Sequence, residues 1–164
     1  LADQVIELRA LALGQEAGAC ELVRRVFTRF VAPQFPPEGV EEFLSYVNPQ
    51  ALVERRTQGN LQMAAWAGGE MAAYLEMREG PHLALLFVDP NRQRQGLGKR
   101  LLARALELWG RREPKLERVT VNSSPNAMAA YQSMGFEAHG ELQSKNGISF
   151  MPMHLAVDQG RGHN

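Results

Sequence analysis

Between Asp89 and Leu101 the chain runs Asp-Pro-Asn-Arg-Gln-Arg-Gln-Gly-Leu-Gly-Lys-Arg-Leu, a basic, glycine-bearing loop set between two apolar segments. Residues of these types at this spacing can hold an anion. The first N–H groups of a helix have no intrahelical partner, and its peptide dipoles place about half a positive charge at that end. Gly96 and Gly98 let a phosphate approach the main chain closely. Arg92, Arg94, Lys99 and Arg100 add mobile positive charge at the rim. On spacing alone, a plain strand-to-helix turn with a solvated basic face stays open.

Two nucleotide readings fail on residues. A Walker loop needs a longer glycine loop followed by Lys and then Ser or Thr, and here Lys99 is followed by Arg100. A dinucleotide fingerprint needs a third glycine where Leu101 stands. The pattern that remains is Gln/Arg-x-x-Gly-x-Gly/Ala, met by Gln93-Arg94-Gln95-Gly96-Leu97-Gly98.

Other side chains could move protons. Tyr131 stands shortly before Gly135-Phe136 and offers a hydroxyl, or else only a ring packed beside Phe136. His82 opens an apolar run and titrates near neutrality, so it suits a general base. Strict alternation would place it on the face of Ala84, Leu86 and Val88. After Gly80-Pro81 it could equally cap a turn. Glu76 is a rival base, and His139 and His154 are weaker ones. No grouping of His with Asp or Glu has ligand spacing, so no metal is expected. Cys20, the one cysteine, falls in an apolar helical pattern and reads as core.

The elements that position these groups follow from period. A first strand around Val5 and Leu8 precedes a helix carrying Ala17, Leu22, Val23, Val26, Phe27 and Phe30 on one face. Prolines at 33, 36 and 37 break it, and Val40, Phe43, Leu44 and Val47 mark a second short helix. Residues 61–77 predict a hairpin around Gly68-Gly69. The run 82–88 is nearly all apolar, as for a strand covered on both faces. A helix from Leu97 buries Leu97, Leu101, Ala105, Leu108 and Trp109; a strand at 117–123 follows. Ser124-Pro125 starts a short helix that Gly135 closes. Segments 136–143 and 147–155 form a last strand pair around Lys145-Asn146-Gly147, with Pro152 predicting a bulge or strand end. The strand–helix–strand unit in the middle should be parallel and right-handed.

Bulk properties narrow the partners. At 164 residues the chain fits one domain, and equal numbers of acidic and basic residues argue against broad capture of nucleic acid or an acidic membrane. No apolar run approaches the ~20 residues that span a bilayer. No signal-like pattern opens the chain, so a cytoplasmic location is expected.

The hexapeptide at 93–98, placed after an apolar strand ending Val88-Asp89-Pro90, resembles the Gcn5-related N-acetyltransferases, the GNAT superfamily. The segment 121–136 is a second match, with Tyr131 at the family's interval from Gly135-Phe136, and 150–155 resembles the closing strand of many bacterial members with an Asn-Ser-Ser-Pro-type motif.

The resemblance implies an α/β (α+β) fold. Its central sheet is mixed and mostly antiparallel, with a parallel pair of fourth and fifth strands and flanking helices. One N-acetyltransferase domain would cover 1–157, with a frayed tail at 158–164.

It also implies acetyl-coenzyme A as co-substrate. Backbone N–H groups from Gln93 through Arg94, Gln95, Gly96, Leu97, Gly98 and Lys99 would hold the pyrophosphate. Main-chain groups of Phe87 and Val88 would pair with the pantetheine arm, and an N–H near Val88 would receive the oxyanion. Arg92 or Arg94 would reach the 3′-phosphate. The family's frequent asparagine falls on Ser124, so that contact passes to Ser124 or Asn126. Tyr131 becomes the general acid on the coenzyme sulfur.

The expected reaction is direct transfer to a primary amine, on a small molecule or peptide, in a pocket formed by 30–48 and the last strand pair. Phe35, Phe43 and Tyr46 would supply walls. Glu38, Glu41 and Glu42 could favour a cationic amine, although acids suit helix N-termini anyway. The alternatives are a non-catalytic acyl-coenzyme A-binding module, another acyl donor or an O-acceptor; a homodimer is allowed.

Overall fold

The computed structural model describes residues 4–93 and 95–158. Its elements in chain order are β1 (Ile6–Ala10), α1 (Glu16–Phe30), α2 (Pro37–Tyr46), α3 (Pro49–Thr57), β2 (Leu61–Ala67), β3 (Glu70–Arg78), β4 (His82–Val88), α4 (Leu97–Arg112), β5 (Arg118–Ser123), α5 (Met128–Ser133), β6 (Glu137–Ala138), β7 (Gln143–Lys145) and β8 (Ile148–Ala156). Strands lie in the order β1-β2-β3-β4-β5-β8-β6, with β7 paired to β8. Every pairing is antiparallel except β4–β5.

Gly68 and Gly69 turn the β2–β3 hairpin with φ of 59° and 84°. Two central residues at positive φ match the right-handed twist of the strands, and glycine adopts that conformation without a Cβ penalty. Asn146 and Gly147 do the same between β7 and β8. One sheet face is covered by α4, whose Leu101, Ala105 and Trp109 pack on Met63, Leu75 and Val119. The other is covered by α1–α3, where Cys20, Val23 and Leu52 meet Ala64, Tyr74 and Leu85. Burial pushes the Cys20 thiol up to about 11, so it stays protonated and packs as a small apolar group.

Four expectations need correction. The helix α3 was not expected; Asn48 caps it by accepting from Ala51 N at 2.9 Å, and Pro49 starts it. In α1 the face turns by a few residues, so Ala17 is exposed while Ala19 and Cys20 are buried. The single strand expected at 136–143 is two short strands separated by Gly140 at φ 97°.

Pro152 lies inside β8, opposite Asn122 of β5, without a bulge. Its carbonyl accepts from His139 N at 2.8 Å, so its missing N–H faces the side where β6 ends and β7 has not begun. A strand residue turns both its main-chain groups to the same side, so Pro152 removes nothing from the β5–β8 ladder.

Register in β4 shapes everything that follows. Glu76 pairs with Leu85 but Met77 pairs with Leu83, which leaves Ala84 as an extra residue, a β-bulge. Alternation therefore shifts at Ala84. Leu83, Leu86 and Val88 pack toward α4, whereas Leu85 and Phe87 pack toward α1. Among the described residues no helix is long and apolar enough to cross a membrane.

Candidate functional site

Asp89 N donates to Ala72 O at 2.8 Å, so Asp89 turns its N–H to β3. Alternation then turns the main-chain groups of Phe87 to Tyr74 of β3, and those of Leu86 and Val88 to the β5 side. On that side the ladder is short. Parallel pairing covers only His82↔Thr120 and Leu83↔Val121, and beyond it β4 and β5 part. A cleft of about 700 Å³ opens there, lined by Ala84–Val88, the loop after β4, Val121, Asn122, Tyr131 and Phe150. Of the two expected pantetheine contacts, Val88 turns its main-chain groups to this gap, whereas Phe87 turns its main chain to β3 and only its side chain lines the cleft. Leu86 is the residue that sequence reasoning missed.

The loop after β4 is held in shape by its own hydrogen bonds and glycines. Asp89 caps a single 3₁₀ turn by accepting from Asn91 N at 2.9 Å, and its other oxygen lies 3.3 Å from Arg25 of α1. Arg92 hydrogen-bonds Gln4 and also lines the cleft. Gln93 is extended, and its side-chain amide donates to the Val88 carbonyl at 3.3 Å. Gly96 sits at φ 71°, the left-handed conformation from which α4 begins, with no side-chain cap on its first N–H groups. Gly98 is packed close: a Cβ there would stand 3.2 Å from the Met134 methyl and 3.5 Å from Val88. Gln93, Gly96, Leu97, Gly98 and Lys99 all line the cleft, Gln95 is exposed in the bend before Gly96, and Arg94 lies outside the described residues.

Tyr131 lines the same cleft from α5. Gly135, at φ 103°, lets Phe136 N reach Tyr131 O and Gly135 N reach Gln132 O, each at 3.0 Å. That paired C-terminal closure ends the helix as expected and fixes the Tyr131 backbone. The ring stands edge-on to Phe136 at 5.5 Å, so the packing role and the cleft-lining role coexist. Burial pushes its hydroxyl up to about 12, and no group among the described residues hydrogen-bonds it.

Ser124 and Asn126 also line the cleft, but they are engaged. Ser124 Oγ donates to Asn126 Oδ1 at 2.9 Å, and Asn126 Nδ2 donates to Phe30 O at 2.9 Å. The pair ties the end of α1 to the entrance of α5.

The proposed bases lie elsewhere. The Ala84 bulge puts His82 on the face opposite Leu83, away from Leu86 and Val88, contrary to strict alternation. It does not line the cleft; its Nδ1 pairs with Thr120 Oγ1 at 2.8 Å, and burial lowers it to about 4. Glu76 is wholly buried and takes hydrogen bonds from Arg55 at 2.5 Å, Tyr74 at 2.7 Å and Asn60 at 2.8 Å. Its role is to fasten α3 to the sheet. His139 and His154 pack against each other 4.9 Å apart on β6–β8. Among the described residues no group of three His, Cys, Asp or Glu is placed to hold a metal.

The parallel strands thus part beside an uncapped, glycine-led helix. The profile of the Acetyltransferase (GNAT) domain matches residues 31–157, and the chain belongs to that family.

Among solved structures it is similar to a GCN5-related N-acetyltransferase of Rhodopseudomonas palustris, with TM-score 0.79 at 19% identity over 96% of this chain and 99% of that one. It is also similar to the PaiA N-acetyltransferase of Thermoplasma acidophilum, solved in complex with coenzyme A, with TM-score 0.76 at 17% identity over 93% and 99%. A third is the ribosomal-protein-S18-alanine N-acetyltransferase of Escherichia coli, with TM-score 0.67 at 20% identity over 98% of each. At these identities the likeness is one of fold. A UPF0039 protein of Schizosaccharomyces pombe is 26% identical over 95 residues, which span 56% of this chain and 63% of that relative's length.

Proposed function

We propose that the protein is an acetyl-coenzyme A-dependent N-acetyltransferase that moves the acetyl group directly to a primary amine. The observation that carries this reading is the parting of β4 from β5, with the main-chain groups of Leu86 and Val88 turned into the gap. Val88 N–H and C=O can extend the sheet to an amide-bearing arm as an added strand. Its carbonyl is held meanwhile by Gln93, which must yield. Leu86 N–H, one step deeper, is placed to receive the acyl oxygen as a fixed dipole. The N–H groups of Leu97, Gly98 and Lys99, at the start of α4, suit a pyrophosphate. That the PaiA relative was solved with coenzyme A supports the same donor here.

When bound, the thioester supplies an activated acyl carbon: the amine nitrogen bonds it, its bond to sulfur breaks, and an amine proton ends on the sulfur. Tyr131 is the only titratable hydroxyl lining the cleft among the described residues, and it is held protonated. Its value of about 12 lies above the ~8.5 of an ordinary thiol, so giving up its proton outright is uphill. Tyr131 therefore works as a hydrogen-bond donor to the leaving sulfur, and passes its proton only as the amine replaces it.

Titration calorimetry with coenzyme A and thiol release from acetyl-coenzyme A with an amine panel test the reading. Micromolar binding with amine-dependent thiol release is expected. Absence of coenzyme A binding refutes it, and binding without turnover on any amine or alcohol returns the chain to a non-catalytic module.

A further inference from the structure

The two ends of the cleft differ in chemistry. At the donor end stand Arg92, Lys99 and the start of α4. The other end is walled by Phe35, Phe43, Phe87 and Phe150, with Asn122 and Ser149 as its polar groups. Phe43 is stacked on Phe27 at 3.8 Å and tilted to Phe87 at 5.8 Å, so one of its faces is already covered.

No carboxylate and no imidazole lines the cleft among the described residues. Glu38 and Glu42 lie instead against the β7–β8 turn, at Gly147 and Asn146, and Glu41 lines a neighbouring hollow with Arg24, on the other side of Phe35. Glu76 is spent on Arg55, and His82 on Thr120.

Two consequences follow for an amine entering here. A lysine-like ammonium titrates near 10.4, so about one molecule in a few thousand is neutral at pH 7. Among the described residues lining the cleft, no carboxylate or imidazole stands ready to take its proton. As a cation it would also lose water against phenylalanine walls with no carboxylate among the described lining residues to offset it. The walls themselves meet beyond the acceptor end, where Gly39 of α2 touches Gly147 of the hairpin.

We propose that the acceptor is an arylamine: a nitrogen whose lone pair is shared with an aromatic ring, uncharged at pH 7, on a flat apolar body. This rests on the acyltransferase reading above. The amine nitrogen bonds the acetyl carbon, the carbon–sulfur bond breaks, and one amine proton passes by Tyr131 to the sulfur. An acceptor already neutral needs no base.

The test measures thiol release from acetyl-coenzyme A with 4-methoxyaniline, 2-phenylethylamine, spermidine, lysine amide and a short peptide with a free α-amine. At pH 7 the arylamine should exceed 2-phenylethylamine in kcat/KM by on the order of tenfold or more, the penalty for a protonated competitor. Its rate should be flat from about pH 6.5 to about pH 9, while 2-phenylethylamine climbs roughly tenfold per pH unit. Spermidine, lysine amide or the peptide matching the arylamine overturns the proposal. So does an arylamine rate that climbs with pH.

If calorimetry shows coenzyme A bound and the arylamine is not turned over, the acceptor class is wrong and the donor reading stands. If coenzyme A is not bound, the donor reading itself has failed. Phe150→Glu, checked for folding by its melt, should move the arylamine-to-spermidine ratio toward spermidine by on the order of tenfold, because it adds the missing counter-charge. An unchanged ratio counts against the aromatic wall.

Discussion

Gly39 and Gly147 meet backbone to backbone: a methyl group on Gly39 would stand 2.4 Å from the Gly147 carbonyl oxygen. Gly147 is at φ 77°, and a Cβ there would meet Glu38 at 2.8 Å and Gly39 N at 3.0 Å. Neither glycine can be replaced without moving α2 off the β7–β8 turn. Gly39→Ala should cost about 1–3 kcal/mol, as overpacking does. In a domain of this size that lowers Tm by roughly 2–10 °C. A thermal melt measures it, and an unchanged Tm would show that the two segments separate freely.

Tyr131→Phe should lower kcat by on the order of a hundredfold or more, the range for a lost proton donor. Coenzyme A affinity should hold, because the ring still packs on Phe136. With the hydroxyl at about 12, wild-type activity should show no alkaline loss from this group up to about pH 10. Equal kcat for both proteins would remove Tyr131 from the chemistry.

His82 makes a prediction about stability rather than rate. Its folded value of about 4 lies below the 6.5 of a free imidazole, mainly through burial. Above pH 6.5 it is neutral in both states and carries no penalty. As pH falls from 6.5 toward 4 the unfolded chain takes up the proton first, so native stability declines across that window. Urea melts of His82→Gln at pH 7 and pH 5 should show a smaller loss on acidification than wild type. The pH dependence of kcat should be the same in both, and a rate loss confined to acid pH would restore His82 as a base.

What the sequence concealed has a common cause. The run 82–88 is apolar on both faces, so no alternation of polar and apolar side chains exposes the Ala84 bulge, and a period of two carried straight through it misplaced His82. The direction of the Leu86 and Val88 main chain depends on pairing with β3, which no side chain reports. The helix α3 carries Arg55, Arg56 and Glu54 and a weak apolar stripe; Asn48-Pro49 was its one clear signal. The glycine loop and the Gly135 closure were legible because positive φ and uncapped N–H groups demand particular residues, whereas Tyr131 was singled out by the family resemblance and not by local physics.

Glu76→Ala should be among the most damaging single changes. It leaves Arg55, itself mostly buried, without its carboxylate and strands the Tyr74 hydroxyl. Removing one partner of a buried pair costs roughly 3–5 kcal/mol. Denaturant melts should show a loss of that order, whereas Arg55→Lys, which keeps the charge but not the fork, should fall between. A loss below about 1 kcal/mol would mean the network is solvated in practice.

Asn126→Ala cuts the tie from α5's entrance to Phe30 O, worth about 0.5–1.5 kcal/mol as a single exposed bond. Hydrogen exchange should quicken at residues 30–36 while the α4 amides are unchanged. Uniform quickening across both would mean that the bond supports the whole domain.

Ala84 changes the parity of its strand. From His82 to Leu83 odd residues lean toward α4; from Leu86 onward even ones do. Deleting this one small residue would make Leu83 and Leu85 successive rungs opposite Met77 and Glu76, and the rest of β4 would keep its faces. Phe87 would stay opposite Tyr74, and the main-chain groups of Leu86 and Val88 would still turn to the gap. The ladder thus absorbs Ala84 as a surplus: a chain one residue shorter at this point would present the same surfaces, and counting by twos from His82 would then predict them correctly.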